Sequence, residues 1–442
     1  MDNTIYYVLL LLIGGLASTI PVYMCLFFTG IIGLAFFAQS VMPFNTQAML
    51  LVQAFYKSMD NFALVVVLFF ILCGNIMTSG SIVDKLIRLA KSMVGFFPGG
   101  LGMAGVLACG MFGAISGSTV ATVVAIGGFM IPALIKEGYD ESYTVGVMTA
   151  APILGIIIPP SISMILYSMI TNDSLAALFL TGFVPGTLVI LSFCIYTYVV
   201  CRRSGFRMER PPRVKEFFAL LNPFDRDQCF WAVMLPVIIF GGIFSGAFTA
   251  NEAAVVACVY AFLVEIFIHR DMTWADVKKV TVSSAVTSAT LLVIVAGATV
   301  FGKYLTVERL PQIITEAVTA NITNKWVFLA VVNLFLLVVG MFMDIISATL
   351  ILTPIFMPML YQFGINSLHF GLLMTVNLGV GYITPPMGVS LYITGAVAKR
   401  DLIYVTKAVL PFILIQLGVL GILTYWEDVV LILPRLVYPS SF

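Results

Sequence analysis

Charge is scarce in this chain. Of its 442 residues only 10% are Asp, Glu, Lys or Arg, 22 basic against 21 acidic, with two histidines. A soluble domain carries roughly a quarter charged residues, so a water-facing surface over the whole chain is excluded. The seven cysteines (25, 73, 109, 194, 201, 229 and 258) lie in or beside apolar runs without C-x-x-C spacing. They read as small core residues or inert thiols, not as a redox or metal site. His269 and His369 fall where loops are expected and read as solvated, with no evident chemistry. No Ser/His/Asp arrangement, metal cluster or phosphate loop appears, which leaves an intramembrane enzyme nothing to work with. A basic leader is missing too: residues 1–20 carry Asp2 and no Lys or Arg, so no signal peptide is expected.

What the chain does have is apolar length. Hydrophobic residues make up 61%, 35 of them Phe, and the mean hydropathy is +1.08. The expected class is an all-α polytopic membrane protein. Two of its runs are interrupted. GAISGSTVATVVAIGGFMIP, from Gly113, carries glycine and hydroxyl residues at its centre, and VGVMTAAPILGIIIPP ends at Pro159-Pro160. Backbone broken at membrane depth survives only where it is buried in protein or lines a watery cavity. There it frees carbonyls and helix-end amides to hold ions and small anions.

The interruption occurs twice. An offset of 226 lays Ser118 on Asp344, Pro132 on Pro358, Gly138 on Gly364, Thr149 on Thr375, Gly155 on Gly381 and Pro159-Pro160 on Pro385-Pro386. Paired Gly/Pro-interrupted segments in two halves mark the binding site of a secondary transporter. Leu101–Ile115 with Val120–Ile135, and Lys325–Phe342 with Ile346–Tyr361, read as re-entrant hairpins. Glu141–Ile170 and His369–Ala398 read as crossings broken at the proline pairs. Spans are also expected at Thr4–Ile20, Val22–Ala38, Asn61–Ser79, Leu175–Cys201, Cys229–Phe248, Asn251–Ile268, Ser284–Phe301 and Tyr404–Leu433. Threaded this way, 17 of the 22 Lys/Arg fall on one side, including those of the basic loop 202–227; the others are at 57, 303, 309, 325 and 435. By the positive-inside rule that side is cytoplasmic. The first hairpin then enters from the cytoplasm and the second from outside, so the repeats are inverted and both termini are periplasmic.

Among single residues Asp344 is the sharpest. A carboxylate at bilayer depth costs at least ~2.5 kcal/mol and is functional by default, although it could also cap the helix that follows. Glu252 reads as a helix cap, Lys303 as a snorkelling side chain and the basic loop chiefly as a topology signal. A Gly-Ser-Thr cluster alone could be a packing device; its recurrence with the Pro-Pro break favours function.

The stretches GAISGSTVATVVAIGGFMIP, GIIIPPSISMILY, GMFMDIISATLILTPIFMP and NLGVGYITPPMGVSLYI resemble the large membrane subunit of TRAP (tripartite ATP-independent periplasmic) transporters, of the DctM-like family, over nearly the whole chain. Ser168 departs from the glycine common there, a matter of local packing. The resemblance implies an elevator-type, Na⁺-driven importer of small organic anions in the bacterial inner membrane, with no organic cofactor. Its partners would be a small four-helix membrane subunit and a periplasmic substrate-binding protein. It implies scaffold helices in 1–60 and 175–283, a transport-domain repeat in 61–174 (hairpin 98–137, broken helix 141–171), a second in 284–403 (hairpin 325–361, broken helix 368–398) and a closing helix in 404–442. Carried over by motif, one Na⁺ site would use Ser116, Ser118, Thr119, Gly155 and Pro159, and the other Gly340, Asp344, Ser347, Gly381 and Thr384. Oxygen ligands of this kind suit a hard cation. The anion would lie between them, near Gly117, Pro160, Ser161, Thr384, Pro385 and Gly388. A stand-alone Na⁺/dicarboxylate symporter of the same architecture, a passive anion channel and a purely structural membrane subunit are the alternatives. The identity of the anion, a C4-dicarboxylate, a sialic acid or another sugar acid, stays open.

Overall fold

Among the described residues of the computed structural model (4–18, 20–37, 43–208, 217, 219–223, 225 and 229–439) every regular element is helical. Thr19 and most of the basic loop, including Arg210, Arg213, Lys215 and Arg226, lie outside them. The first half runs α1 (Thr4–Ala17), α2 (Val22–Phe37), α3 (Phe44–Met59), α4 (Ala63–Ser79), α5 (Ile82–Val94) and α6 (Gly100–Ser116). It continues with α7 (Thr119–Lys136, with a π turn at Val123–Gly127) and α8 (Glu141–Ala150, prolonged through Ala151–Ile153 and Leu154–Ile157). Then come α9 (Ile162–Thr171), α10 (Leu175–Thr181) and α11 (Phe183–Arg203). The second half runs α12 (Phe230–Phe244), α13 (Ala250–Leu263, ending in a π turn at Val264–His269), α14 (Trp274–Val307), α15 (Leu310–Asn321), α16 (Lys325–Phe342) and α17 (Ile345–Phe363). It closes with α18 (Ser367–Tyr382), α19 (Val389–Ala398), α20 (Leu402–Tyr425) and α21 (Glu427–Val437). Eight of these helices, some continued through a turn, are long and apolar enough to cross a membrane.

The 226-residue offset extends well beyond the motifs that revealed it. Thr4–Ala17 falls on 230–243, where α12 lies, and Ile82–Val94 falls on 308–320, where α15 lies. The pair α3 and α4, bent by 44°, corresponds to the 34 residues of α14. Helix caps follow the same rule. Asp140 accepts from Tyr143 N–H at 2.8 Å, and its counterpart Asn366 accepts from Leu368 N–H at 2.9 Å. Each open N-terminal amide would otherwise be an unsatisfied donor.

Several elements differ from the sequence expectation. α3 and α15 were not expected as helices, because Gln47, Gln53 and Lys57 in the one, and Gln312 and Glu316 in the other, dilute the apolar signal. The basic patch at Lys85, Arg88 and Lys91 lies on α5, an amphipathic helix burying Ile82, Val83, Leu86, Ile87, Leu89 and Ala90. The run Leu175–Cys201 is one span as expected, extending to Arg203 through a turn at Gly182, where any Cβ would sit 2.0 Å from the Ile157 carbonyl oxygen. The last run ends at Tyr425, and α21 starts separately. Glu252 does form a capping box with Thr249.

Both histidines are buried, contrary to the reading as solvated loop residues. His369 lies in the first turn of α18, fully buried, its Nε2 2.8 Å from the Leu423 carbonyl of α20. His269 ends the π turn of α13, with Nδ1 3.5 Å from Glu265. Each buried ring has a partner for one nitrogen: His369 on a neighbouring helix, His269 on its own π turn and at Ser81 Oγ, 3.3 Å away. Glu265 is itself fully buried and reaches across to α5, accepting from Ile82 N–H at 3.0 Å and Ser81 N–H at 3.3 Å. Gly80 makes room for it, since a Cβ there would lie 2.1 Å from the carboxylate carbon. Asp271 comes near this pair, its ligand atom within 4.8 Å of theirs, so metal-ligand types do gather here; both Glu265 oxygens, however, already accept backbone amides.

Glu265→Ala strands two amides, at about 1–3 kcal/mol per buried unsatisfied group. Its melting temperature in detergent should fall clearly, and that of Glu265→Gln, which keeps one acceptor, by less. An unchanged melting temperature for Glu265→Ala would show that α5 is not anchored this way.

Candidate binding site

Two helix-hairpin tips and two helix breaks define the site. α6 ends at Ser116, and Gly117 turns the chain with φ +61°, its N–H bonded to the Gly113 carbonyl at 3.0 Å. Left-handed backbone favours glycine here. Ser118 is extended and caps α7, its Oγ accepting from Ala121 N–H at 3.4 Å. In the other half Met343 is extended and Asp344 caps α17, its Oδ2 accepting from Ser347 N–H at 2.9 Å. Ser118 and Asp344 therefore do the same local job at equivalent positions, and the capping reading of Asp344 holds. Asp344 is half-buried, and no ion pair to it occurs among the described residues.

Each tip packs against a break. A Cβ at Gly117 would meet the Pro160 carbonyl oxygen at 2.6 Å, and one at Gly113 would meet Gly155 Cα at 2.5 Å. In the second half Gly340 and Gly381 approach as closely, with a Gly381 Cβ 2.6 Å from Gly340 Cα. Small residues let the backbones touch. Pro159 and Pro160 bring no N–H to the carbonyls one turn back, at Gly155 and Ile156. At the second break Thr384 N–H reaches the Gly381 carbonyl at 2.9 Å, and its Oγ1 the Val380 carbonyl at 2.6 Å. Gly388 precedes α19 with no side-chain cap.

The structure thus brings Ser116, Gly117, Ser118 and Gly155 together with Pro160, and Gly340 together with Gly381. Ser116 Oγ lies 3.4 Å from Thr122 Oγ1, which donates to the Ser118 carbonyl at 2.8 Å. Thr122 was not singled out from the sequence; its spacing of four from Ser118 was the available signal. Ser161 is fully buried and paired with Ser163 at 3.0 Å. The hydroxyls of Thr119 and Ser347 are buried without any partner, as are those of Ser390 and Thr394, which the sequence reading also passed over. The two breaks differ in access: Pro159 and Pro160 are buried, whereas Pro386 and Met387 are exposed. A separate cavity of about 660 Å³ opens between α3, α9, α14 and α17, bordered by Lys57, Lys303 and Pro354, and none of the tip residues lines it.

Neutral oxygens, one carboxylate, helix starts without side-chain caps and closely touching backbones thus meet at the tips and breaks. With its helices long enough to span a bilayer, this defines a multi-pass membrane transport protein. The chain belongs to the family of the DctM component of tripartite ATP-independent periplasmic transporters, whose model matches residues 9–429. It is 40% identical to the C4-dicarboxylate TRAP transporter large permease protein DctM of Pseudomonas aeruginosa, over 86% of this chain and 88% of that one. It is 32% identical to the sialic acid TRAP transporter large permease protein SiaM of Vibrio cholerae, over 96% and 97%. Its fold matches the crystal structure of the Alcanivorax borkumensis YdaH transporter, described as having an unusual topology, with TM-score 0.62 at 15% identity over 86% of this chain and 87% of that one. It is a transporter permease subunit and not an enzyme.

Gly381→Ala should separate packing at the break from the fold. Its Cβ meets backbone, which cannot swing aside as a side chain can. Uptake in proteoliposomes should fall about fivefold to a hundredfold, the cost of overpacking being ~1–3 kcal/mol, while the protein still purifies as a folded species. Wild-type uptake would contradict the close fit.

Proposed function

We propose that this permease imports a small organic anion together with Na⁺, receiving the anion from a periplasmic binding protein and working beside a small membrane subunit. One observation carries the reading: the buried, unpartnered hydroxyls of Thr119 and Ser347, one at each hairpin tip. A buried hydroxyl without a partner is costly, and a cation accepted by it, by neighbouring carbonyls and by Asp344 removes that cost. The residues present therefore suit Na⁺, a hard ion that takes oxygen ligands. The names of the relatives support a C4-dicarboxylate or a sialic acid as the anion.

The motion we infer is an elevator: both hairpins and both broken helices move as one body against the remaining helices. Cross-links between the halves support this. At one end of the broken helices Arg400 grips Glu141 through two bonds of 2.7 Å; at the other, the Ser367 hydroxyl donates to Asp173, and the Tyr167 hydroxyl donates to the Ser367 carbonyl at 2.9 Å. Glu141 and Ser367 are equivalent under the 226 offset, and so, within one residue, are Arg400 and Asp173. The start of each broken helix is thus tied to the end of the other. Opening one hairpin alone would expose unpaired polar groups to lipid, at several kcal/mol each. The Lys/Arg distribution supports a cytoplasmic first hairpin, an outer second hairpin and periplasmic termini. Exposed apolar side chains on α1–α3, among them Leu10, Phe28, Val52 and Tyr56, favour those helices as the seat of the small subunit.

Asp344→Asn should raise the Na⁺ concentration for half-maximal uptake several-fold with normal membrane expression; an unchanged Na⁺ dependence would leave the residue only its capping role. Alternating access has its own test. A cysteine at Val120, which is exposed beside the first tip, should react from the cytoplasm in one ligand condition and be protected in another. A cysteine at Ile346 should do the reverse from outside. Labelling of both from one side under all conditions would favour a channel.

A further inference from the structure

Buried helical hydroxyls in this protein regularly return their proton to the carbonyl four residues back. Thr149, Thr349, Thr353 and Thr375 do so at 2.6, 2.7, 2.6 and 2.9 Å. Thr394 does not. It lies well inside α19, with the Ser390 carbonyl one turn behind it, yet its fully buried Oγ1 has no partner. Ser390, four residues earlier and so on the same face, is also fully buried with a free hydroxyl. Below Ser390 the helix starts at Val389 without a side-chain cap, so its first amides point toward the second break. That break is the open one, through Pro386 and Met387. α19 packs against the first hairpin along Thr119–Thr122 and Val123–Gly127, the arm that carries the free hydroxyl of Thr119.

We propose that Ser390 and Thr394 are substrate contacts, donating hydrogen bonds to the anionic or hydroxyl oxygens of the transported organic anion along one face of the first six residues of α19. The assignment rests on the organic-anion reading above. The positive end of a helix disfavours a cation and favours an anion, and no carboxylate stands on α19 to reverse this. The pair would thus serve the anion, while Asp344 and Ser347 serve the cation at the other tip. An unpartnered buried hydroxyl weakens a fold, and replacing it by an apolar group of the same shape is neutral or stabilising. Thr29 and Ser288 also have unpartnered buried hydroxyls, but Ser390 and Thr394 form a pair on one face beside the open break, where a ligand can meet both.

The test uses the full-length protein at saturating Na⁺, with succinate and N-acetylneuraminate as probes in thermal-shift titrations. Thr394→Val and Ser390→Ala, without anion, should melt at or above the wild-type temperature. Their half-saturating concentration for the stabilising anion should rise about tenfold, as for loss of a hydrogen bond to a charged group. Their half-saturating Na⁺ concentration should not change, and Thr394→Ser should restore most of the affinity. Unchanged anion affinity in both variants, or a lower melting temperature without anion, would overturn the assignment. If neither probe stabilises the wild type, the organic-anion reading fails for these classes and the contacts assigned here fall with it.

Discussion

Everything distinctive in this chain follows from one constraint: inside a bilayer, every backbone polar group must find its partner within the protein. Four places break the helical ladder, and both tips and the second break are repaired locally. Ser118 and Asp344 cap the helices that leave the two tips, Thr384 closes a turn over the Gly381 carbonyl, and glycines let each tip press onto its break. Among the described residues, hydroxyls are the largest group of buried side-chain atoms without a partner. A protein that kept its interior dry and finished would have no such remainder.

The same constraint explains why the site is shared between the halves. Neither interrupted segment could bury its own broken backbone, so each hairpin lies against the broken helix of its repeat, and α19 of the second half packs onto the hairpin of the first. The ties at Glu141–Arg400 and Asp173–Ser367 lock this exchange at the two ends of the broken helices. One is a bidentate ion pair and the other a carboxylate–hydroxyl bond. Repeat symmetry fixed where a tie was needed and left its chemistry free.

Outside the site, the buried Glu265 performs for α5 what the caps perform for the tip helices, but from a distant helix. It anchors α5, which precedes the first hairpin, and Gly80 is small because the carboxylate needs that space. Carboxylates thus have two distinct duties here: the buried Glu265 is fully engaged with amides, whereas the half-buried Asp344 keeps capacity for a further ligand.

The sequence by itself determined the class of protein, the repeat and the tips. Apolar length requires a bilayer, and a Pro-Pro pair cannot sit silently in a helix, so both signals are local and survive in one dimension. It also pointed to Asp344 as a cap, since an Asp before an apolar run has few other local duties. It was misleading where hydropathy is diluted or reversed by tertiary contacts: α3 and α15 went unseen, and His269 and His369 read as solvated. Only the tertiary structure decided which polar side chains are paired. Thr349 and Thr394 look alike in sequence, yet one hydroxyl is satisfied by its own helix and the other has no partner. A hydroxyl's partner depends on side-chain direction and on neighbours hundreds of residues away, and no pattern along the chain records either.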